Sequence, residues 1–184
     1  CGGRLFGNEK DADIVIKNIF NDSRKVGEGS LFAAIKGERV DGHDFIVPCF
    51  ERGAVCAISE KEIETDKPYI LVDSTLRALK DIAAFYRGLF DIPFIGVTGS
   101  VGKTSTKEML SSVLSQKFKV HKTQGNFNNE LGVPLTIFGL EEEHEIAVIE
   151  MGISDFGEMT RLSKIVRPDF CLITNIGCCH LENL

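Results

Sequence analysis

Long apolar runs are missing from this chain of 184 residues: no uninterrupted apolar stretch reaches the length of about 18 residues that a transmembrane helix needs. We therefore expect no membrane insertion. Tryptophan is missing as well, yet hydrophobic residues make up 43% of the chain and charged residues 26%. This composition is typical of a folded protein and excludes wholesale disorder. At about 150 residues per domain, the length allows one domain, or a small domain and part of a second.

A surplus of positive charge is also missing, because 21 Lys and Arg residues face 27 Asp and Glu residues and give a net charge of −6. Binding to duplex nucleic acid requires clustered Lys and Arg that neutralise phosphates. We therefore expect no nucleic-acid partner. A small phosphorylated ligand needs only a local site and stays compatible with this charge.

The six cysteines include no Cys-x-x-Cys pair, which argues against a zinc ribbon. Cys178, Cys179 and His180 could be soft-metal ligands, but no second pair matches them, and we expect reduced thiols, as in the cytoplasm. The chain begins at Cys1 without a basic-then-apolar leader, so a secretory signal is not expected. Both ends look cut, and we expect a fragment of a longer cytoplasmic protein.

Two structural units are predicted from the apolar pattern. Residues 14–73 contain short apolar runs separated by turns, with a short helix at 45–52, which indicates a small α/β domain over residues 1–74. An N-cap at Asp73-Ser74 then begins an amphipathic helix, which opens a second domain over residues 75–184.

Buried strands alternate with helices in this second domain. Strands are predicted at 94–97, 118–121, 146–149 and 170–173, and helices at 103–116, after Glu130 and at 156–166. Such alternation is typical of an α/β fold with a parallel sheet covered by helices on both faces. Ligands bind at the carboxyl ends of the strands in such sheets.

A glycine loop follows the first of these strands. It has the pattern Gly99-x-x-Gly102-Lys103-Thr104 and opens a helix, as phosphate-binding loops do. The residues predicted to bind a nucleotide are Gly99, Ser100, Val101, Gly102, Lys103, Thr104 and Ser105. The usual P-loop has a further glycine where Val97 stands, and the alternative is an ordinary turn with an exposed lysine.

The next two strand ends also carry polar residues. Glu150 closes the strand at 146–149, and a carboxylate beside a phosphate loop is the arrangement that holds Mg²⁺ together with a hydroxyl such as that of Thr104. Asn175 and His180 follow the strand at 170–173 and could serve the nucleotide or a second cation. The alternatives are a solvated glutamate and a structural histidine.

An asparagine-rich segment, Gly125-Asn126-Phe127-Asn128-Asn129-Glu130, lies between these elements. Asn amides hydrogen-bond sugars, amides and carboxylates. They are also common helix caps. The residues alone leave substrate binding and capping equally open.

Together these segments resemble the Mur ligases of peptidoglycan synthesis. The motifs are Thr98-Gly99-Ser100-x-Gly102-Lys103-Thr104, Gly125-Asn126-Phe127-Asn128-Asn129-Glu130-x-Gly132-Val133-Pro134, Glu150-Met151-Gly152 and Thr174-Asn175-Ile176-Gly177-x-x-His180-Leu181-Glu182. Asn21-Asp22-Ser23-Arg24 and the segment from Gly37 to Phe45 are similar to the family's UDP-substrate domain. Val101 departs from the family, which often has a polar residue at that position.

The resemblance implies an ATP- and Mg²⁺-dependent amide ligase that acts through an acyl phosphate. The asparagine-rich segment most resembles the family member that joins D-alanyl-D-alanine to UDP-N-acetylmuramoyl-tripeptide. Implied catalytic residues are Lys103, Glu150 and His180, implied metal ligands are Thr104, Glu150 and His180, and implied substrate-binding residues are Ser23, Arg24, Lys36, His43, Asn128 and Asn129. A cytoplasmic monomer is expected, and residues 1–184 alone are expected to be inactive.

Two alternatives remain. The first is a sister ligase, either the Mur ligase that adds the third amino acid or a folylpolyglutamate synthetase. The second is a nucleotide-binding module without turnover.

Overall fold

A computed structural model describes residues 1–177 of the chain, and residues 178–184 lie outside the described part. The polypeptide forms two compact units, residues 1–79 and the part from Lys80 onward. Both units are α/β, as predicted. The division between them falls inside a helix that the sequence pattern assigns to the second domain.

The first unit is built on a five-stranded sheet with the strand order β1-β5-β4-β3-β2. Its strands are β1 (Arg4–Phe6), β2 (Asn18–Phe20), β3 (Ser30–Ala33), β4 (Ala54–Ser59) and β5 (Tyr69–Leu71), and its helix is α1 (Ile46–Glu51). All neighbouring strands run parallel except β1, which pairs with β5 in the antiparallel sense.

The core of the first unit forms beneath its central strands. Every residue of β3 is buried, as its unbroken apolar run predicts for a strand covered on both faces. Phe32, Ile46 and Tyr69 pack in this core, and the ring of Phe6 stacks on that of Tyr69 at a centroid distance of 4.8 Å. The apolar run near Val15 behaves differently, because Val15 is exposed and strand β2 begins only at Asn18.

The second unit holds a four-stranded, all-parallel sheet with the order β7-β8-β6-β9. The strands are β6 (Phe94–Thr98), β7 (Val120–Lys122), β8 (Ile146–Glu150) and β9 (Phe170–Ile173). The helices are α2 (Thr75–Arg87), α3 (Lys103–Leu114), α4 (Gly132–Phe138) and α5 (Glu158–Val166). Each strand and helix predicted from residue 75 onward is confirmed, with shifts of a few residues at the ends.

The register of this sheet brings three strand ends to one edge. Val97 lies opposite Glu150, and Thr98 lies opposite Ile173. The residues that follow β6, β8 and β9 therefore emerge side by side. Strand β9 is exposed along its whole length, unlike the buried strand that the sequence predicts, because in the described part of the chain it pairs with β6 alone.

Arg87 ties helix α2 to the end of helix α5. Its guanidinium donates hydrogen bonds to the carbonyl oxygens of Val166, Arg167 and Phe90 at 2.8, 3.1 and 3.1 Å. The last carbonyls of a helix have no partner within the helix, so this contact satisfies them. The same guanidinium lies over the ring of Phe94, 3.7 Å from its centroid.

Among residues 1–177, no helix combines the length and the apolar character of a membrane span.

Phe94 is expected to be a main contributor to the stability of the second unit. Its side chain is fully buried, whereas that of Phe85 on α2 is 73% exposed. Phe94→Ala should lower the free energy of unfolding by about 3–5 kcal/mol, because it leaves a cavity beneath the Arg87 guanidinium. Phe85→Ala is the matched control and should change it by less than about 0.5 kcal/mol. Denaturant unfolding measures both, and equal effects would contradict the assignment of Phe94 to the core.

Candidate functional site

Two positions of the glycine loop between β6 and α3 have backbone angles that only glycine adopts without strain. Gly99 has φ +133° and Gly102 has φ +82°. A Cβ atom at Gly99 would lie 2.2 Å from Oγ1 of Thr174 and 2.9 Å from the carbonyl oxygen of Asn175. Both glycines of the sequence motif are therefore required by conformation, and the first also by close approach of the neighbouring strand end.

The segment after β9 holds this loop from the side. The Asn175 side-chain oxygen accepts a hydrogen bond from the Val101 N–H at 2.9 Å, and its carbonyl oxygen accepts one from the Ser100 N–H at 3.1 Å. The Thr174 hydroxyl donates to the Val101 carbonyl oxygen at 2.6 Å. Ser100 completes the contact with two hydrogen bonds between its hydroxyl and the backbone of Gly177, both 2.9 Å. Asn175 thus supports the loop that was predicted to bind a nucleotide.

Helix α3 begins directly after the loop, with Gly102 as its N-cap. The Lys103 ammonium folds back and donates hydrogen bonds to the carbonyl oxygens of Gly99 and Ser100 at 2.7 and 3.3 Å. This places a positive charge against the loop at the helix end that carries about half a positive charge itself. Val101 and Ser105 are exposed on either side. The arrangement is suited to an anion such as a phosphate group.

Thr104 and Glu150 meet beside the loop, as the magnesium prediction requires. The Thr104 hydroxyl donates a hydrogen bond to Oε1 of Glu150 at 3.2 Å, and the Asn128 amide donates to the same oxygen at 2.8 Å. Glu150 is almost completely buried. Within residues 1–177, its Oε2 accepts no hydrogen bond.

This donor set fits a magnesium ion. Hydroxyl and carboxylate oxygens are the hard ligands that Mg²⁺ prefers, and the Thr104 hydroxyl and Oε1 of Glu150 lie within hydrogen-bond distance of each other. In the described part of the chain, no group of three or more His, Cys, Asp or Glu side chains could hold a metal. Mg²⁺ does not need such a group, because phosphates and water supply most of its ligands at nucleotide sites.

Lys107 is a site residue that the sequence reasoning missed. Its side chain is fully buried, and its ammonium donates hydrogen bonds to the carbonyl oxygens of Thr123 and Gly125 at 2.9 and 3.3 Å. The same nitrogen lies 3.7 Å from Oε2 of Glu150. Its spacing of four residues from Lys103, which puts both on one helix face, was the available signal.

The two central asparagines of the asparagine-rich segment have different partners. The Asn129 side-chain oxygen accepts hydrogen bonds from the N–H groups of Leu131 and Gly132 at 3.2 and 2.8 Å, at the start of α4. Asn129 therefore caps a helix. Asn128 instead contacts Glu150 through its amide, and its carbonyl oxygen accepts from the Gly152 N–H at 2.7 Å. The sequence leaves helix capping and substrate binding equally open for this segment. In the structure Asn129 caps α4, whereas Asn128 contacts the candidate site through Glu150.

Of the amino-terminal candidates, Ser23 and Arg24 lie in a short turn. Arg24 forms an ion pair with Asp22 at 2.8 Å, and this hydrogen-bonded guanidinium lowers the pKa of Asp22 to about 2. The Arg24 side chain remains largely exposed. The carbonyl oxygen of Ser23 accepts a hydrogen bond from the Arg52 guanidinium at 2.8 Å.

Lys36 and His43 lie on either side of Asp41. Lys36 forms an isolated backbone bridge with Asp41. The His43 Nε2 accepts a hydrogen bond from the Glu60 N–H at 3.0 Å, so its Nδ1 carries the proton and donates to the Asp41 carboxylate. The His43 side chain is only 7% exposed, and both ring nitrogens are used within the unit. Hydrogen bonds from Lys61 and His43 hold the pKa of Asp41 well below its usual range.

His180, the third predicted catalytic residue and metal ligand, lies outside the described residues, as do Cys178 and Cys179. Its role stays a prediction. The other predicted strand-end groups do come together. Asn175 accepts a hydrogen bond from Val101 in the glycine loop, and Thr104, which follows that loop, donates one to Glu150.

The sequence and the structure both match known proteins. Residues 97–184 match the family described as the Mur ligase middle domain, and residues 15–87 match the Mur ligase family, catalytic domain. The UDP-N-acetylmuramoyl-tripeptide–D-alanyl-D-alanine ligase of Synechocystis is 45% identical over 92% of this chain, and that of Bacillus subtilis is 43% identical over 96%. The chain spans 38% and 39% of the lengths of these two relatives.

A solved structure agrees with the sequence matches. The MurF ligase of Thermotoga maritima, determined in complex with ADP, has a TM-score of 0.84 and 41% identity, and the match covers 92% of this chain and 40% of that one. Both units of the present chain thus have counterparts, in sequence and in fold, among proteins of a single family. The chain belongs to the Mur ligase family.

Proposed function

We propose that the complete protein joins D-alanyl-D-alanine to UDP-N-acetylmuramoyl-tripeptide with the hydrolysis of ATP to ADP and phosphate. The observation that carries this proposal is the meeting of the Thr104 hydroxyl and the buried Glu150 carboxylate beside the glycine loop. Relatives at 45% and 43% identity bear the name of this activity, and the related Thermotoga maritima ligase binds ADP.

The glycine loop would hold the phosphates of ATP. Its conformation with two positive φ angles, the start of helix α3 and the Lys103 ammonium supply the positive potential that a triphosphate needs. Ser100, Val101 and Ser105 would contribute mainly through their backbone. Asn175 would act by fixing the N–H group of Val101.

Magnesium would be held by the Thr104 hydroxyl and the Glu150 carboxylate, and when bound it would neutralise charge between the phosphate groups. Asn128 would keep Oε1 of Glu150 pointed towards Thr104 through its amide hydrogen bond. His180 is proposed to bind a second cation near the acyl group, as the family resemblance implies.

The reaction needs phosphorylation because a carboxylate is a poor electrophile. A carboxylate oxygen of the tripeptide would attack the γ-phosphorus of ATP, the bond to ADP would break, and an acyl phosphate would form. The amine nitrogen of D-alanyl-D-alanine would then attack the carbonyl carbon, inorganic phosphate would leave, and the amine would lose its proton to water. Lys103 would stabilise the charge of the transferred phosphoryl group, and the rest of the site would position the reactants.

The first unit would bind the UDP end of the substrate. Arg24 is exposed and positively charged, so it suits a diphosphate, and Lys36 lies in a turn that is also exposed. His43 and Ser23 would act through the turns that they stabilise. Asn128 would serve the peptide end through its contact with Glu150, and Asn129 would do so by fixing the start of α4. A cytoplasmic monomer belongs to the same proposal.

A sister ligase that adds the third amino acid is the second candidate. The structure of a UDP-N-acetylmuramoyl-L-alanyl-D-glutamate–2,6-diaminopimelate ligase matches this chain with a TM-score of 0.58 and 19% identity, a likeness that concerns the fold alone. Assays of the complete protein with each acceptor in turn would decide between these ligases. ATP binding without product from any acceptor would favour a module without turnover.

Lys103→Ala in the complete protein should lower turnover roughly 10³-fold, because it removes a preorganised charge from the transferred phosphoryl group. Phosphate release that depends on ATP, the UDP-linked tripeptide and D-alanyl-D-alanine measures it. Lys117→Ala, which changes an exposed lysine just after α3, is the control and should keep full activity. Full activity of Lys103→Ala, or phosphate release from wild type that does not need all three substrates, would reject the proposal.

Gly99→Ala should weaken ADP binding on the order of 10-fold, because a strained backbone costs about 1–3 kcal/mol and the loop must move away from Thr174. Isothermal calorimetry on the complete protein measures this affinity. Gly27→Ala is the control, since a Cβ atom there meets nothing within 4 Å and φ is not positive. Unchanged ADP affinity in Gly99→Ala would show that this loop does not hold the phosphates.

A further inference from the structure

Lys107 is a buried lysine that the proposed reaction does not use, although it contacts two carbonyl oxygens and two carboxylates near the site. It lies one helical turn after Thr104 on α3 and is fully buried. Its ammonium donates to the carbonyl oxygens of Thr123 and Gly125, which lie where β7 leads into the asparagine-rich segment. Glu108 supplies a second carboxylate, with Oε1 3.1 Å from the same nitrogen.

The two oxygens of Glu150 have unequal surroundings. Oε1 accepts hydrogen bonds from Thr104 and Asn128, whereas Oε2 accepts none within residues 1–177 and lies 3.7 Å from the Lys107 nitrogen. A buried carboxylate without a compensating charge is strongly unfavourable. Among the described residues, the Lys107 ammonium is the positively charged group that lies beside Oε2 of this buried carboxylate.

We propose that Lys107 is a positioning residue that preforms the magnesium site. It compensates the charge of Glu150 at Oε2 and, through the two carbonyl oxygens, fixes the segment that carries Asn128. Asn128 in turn holds Oε1 beside Thr104. The inference rests on the proposed function, because the cation that this carboxylate would take is the one that accompanies the nucleotide.

The direction in which cation affinity changes when Lys107 is removed distinguishes a positioning role from a purely electrostatic effect of its charge. Lys107 carries a positive charge, so its removal would by itself strengthen the attraction of the site for a cation. Weaker cation binding after its removal would therefore reflect the loss of the preformed site, and not the loss of the positive charge. Residues that orient metal ligands typically change metal affinity by about 10- to 100-fold when mutated.

Thermal unfolding of the complete protein without metal or nucleotide tests the pairing with Glu150. Lys107→Met keeps an unbranched side chain but leaves the carboxylate uncompensated, and should lower the unfolding midpoint by about 10 °C. At least half of this loss should vanish when the same change is made in a Glu150→Gln background. Equal losses in both backgrounds would show that Lys107 serves the two carbonyl oxygens alone and would overturn the inference.

Binding of Mn²⁺ in the presence of ADP, followed by electron paramagnetic resonance, tests the positioning role. Lys107→Met should bind Mn²⁺ about tenfold more weakly than wild type. Lys119→Met is the control, since Lys119 forms an exposed pair with Glu143, and its Mn²⁺ affinity should equal that of wild type. Equal or tighter binding by Lys107→Met would overturn the inference. Failure of wild type to bind Mn²⁺ with ADP would instead contradict the proposed function, while the unfolding comparison would still decide whether Lys107 pairs with Glu150.

Discussion

The buried carboxylate of Glu150 is the group around which the second unit is organised. A charge at the end of a buried strand is tolerated only when other groups compensate it. Thr104 and Lys107 from helix α3 and Asn128 from the asparagine-rich segment supply these contacts. Strand β8, the helix that follows the glycine loop, and the segment before α4 are therefore held in one arrangement by the same side chain.

The glycine loop depends on a second constraint, which is imposed from the neighbouring strand end. Thr174 and Asn175 occupy the space that a side chain at Gly99 would need, and they hydrogen-bond the backbone of the loop. The loop is thus shaped by tertiary contacts as well as by its glycines. In the proposed ligase, the two constraints place the anion-binding backbone and the metal-binding oxygens at the same edge of the sheet.

Much of this could be predicted from the sequence, because short apolar runs, helical periodicity and the glycine-loop motif are local signals. The parallel sheet of the second unit, the loop at Gly102 and the partnership of Thr104 with Glu150 all follow from such patterns. Strand β1 was missed because its residues Arg4–Phe6 include only two apolar side chains and are largely exposed, so they form no buried apolar run. The buried state of Lys107 was missed because it arises from tertiary contacts with residues 16 to 43 positions later.

The central claim is that the Thr104 and Glu150 oxygens hold the cation of a bound nucleotide. Crystals of the complete protein grown with ADP and Mn²⁺ test it most directly, because the anomalous scattering of Mn²⁺ locates the ion without ambiguity. The account predicts an anomalous peak within bonding distance of the Glu150 carboxylate and the Thr104 hydroxyl, with the ADP phosphates against the loop at Gly102. An anomalous peak elsewhere, with the Thr104 hydroxyl still hydrogen-bonded to the Glu150 carboxylate, would contradict it.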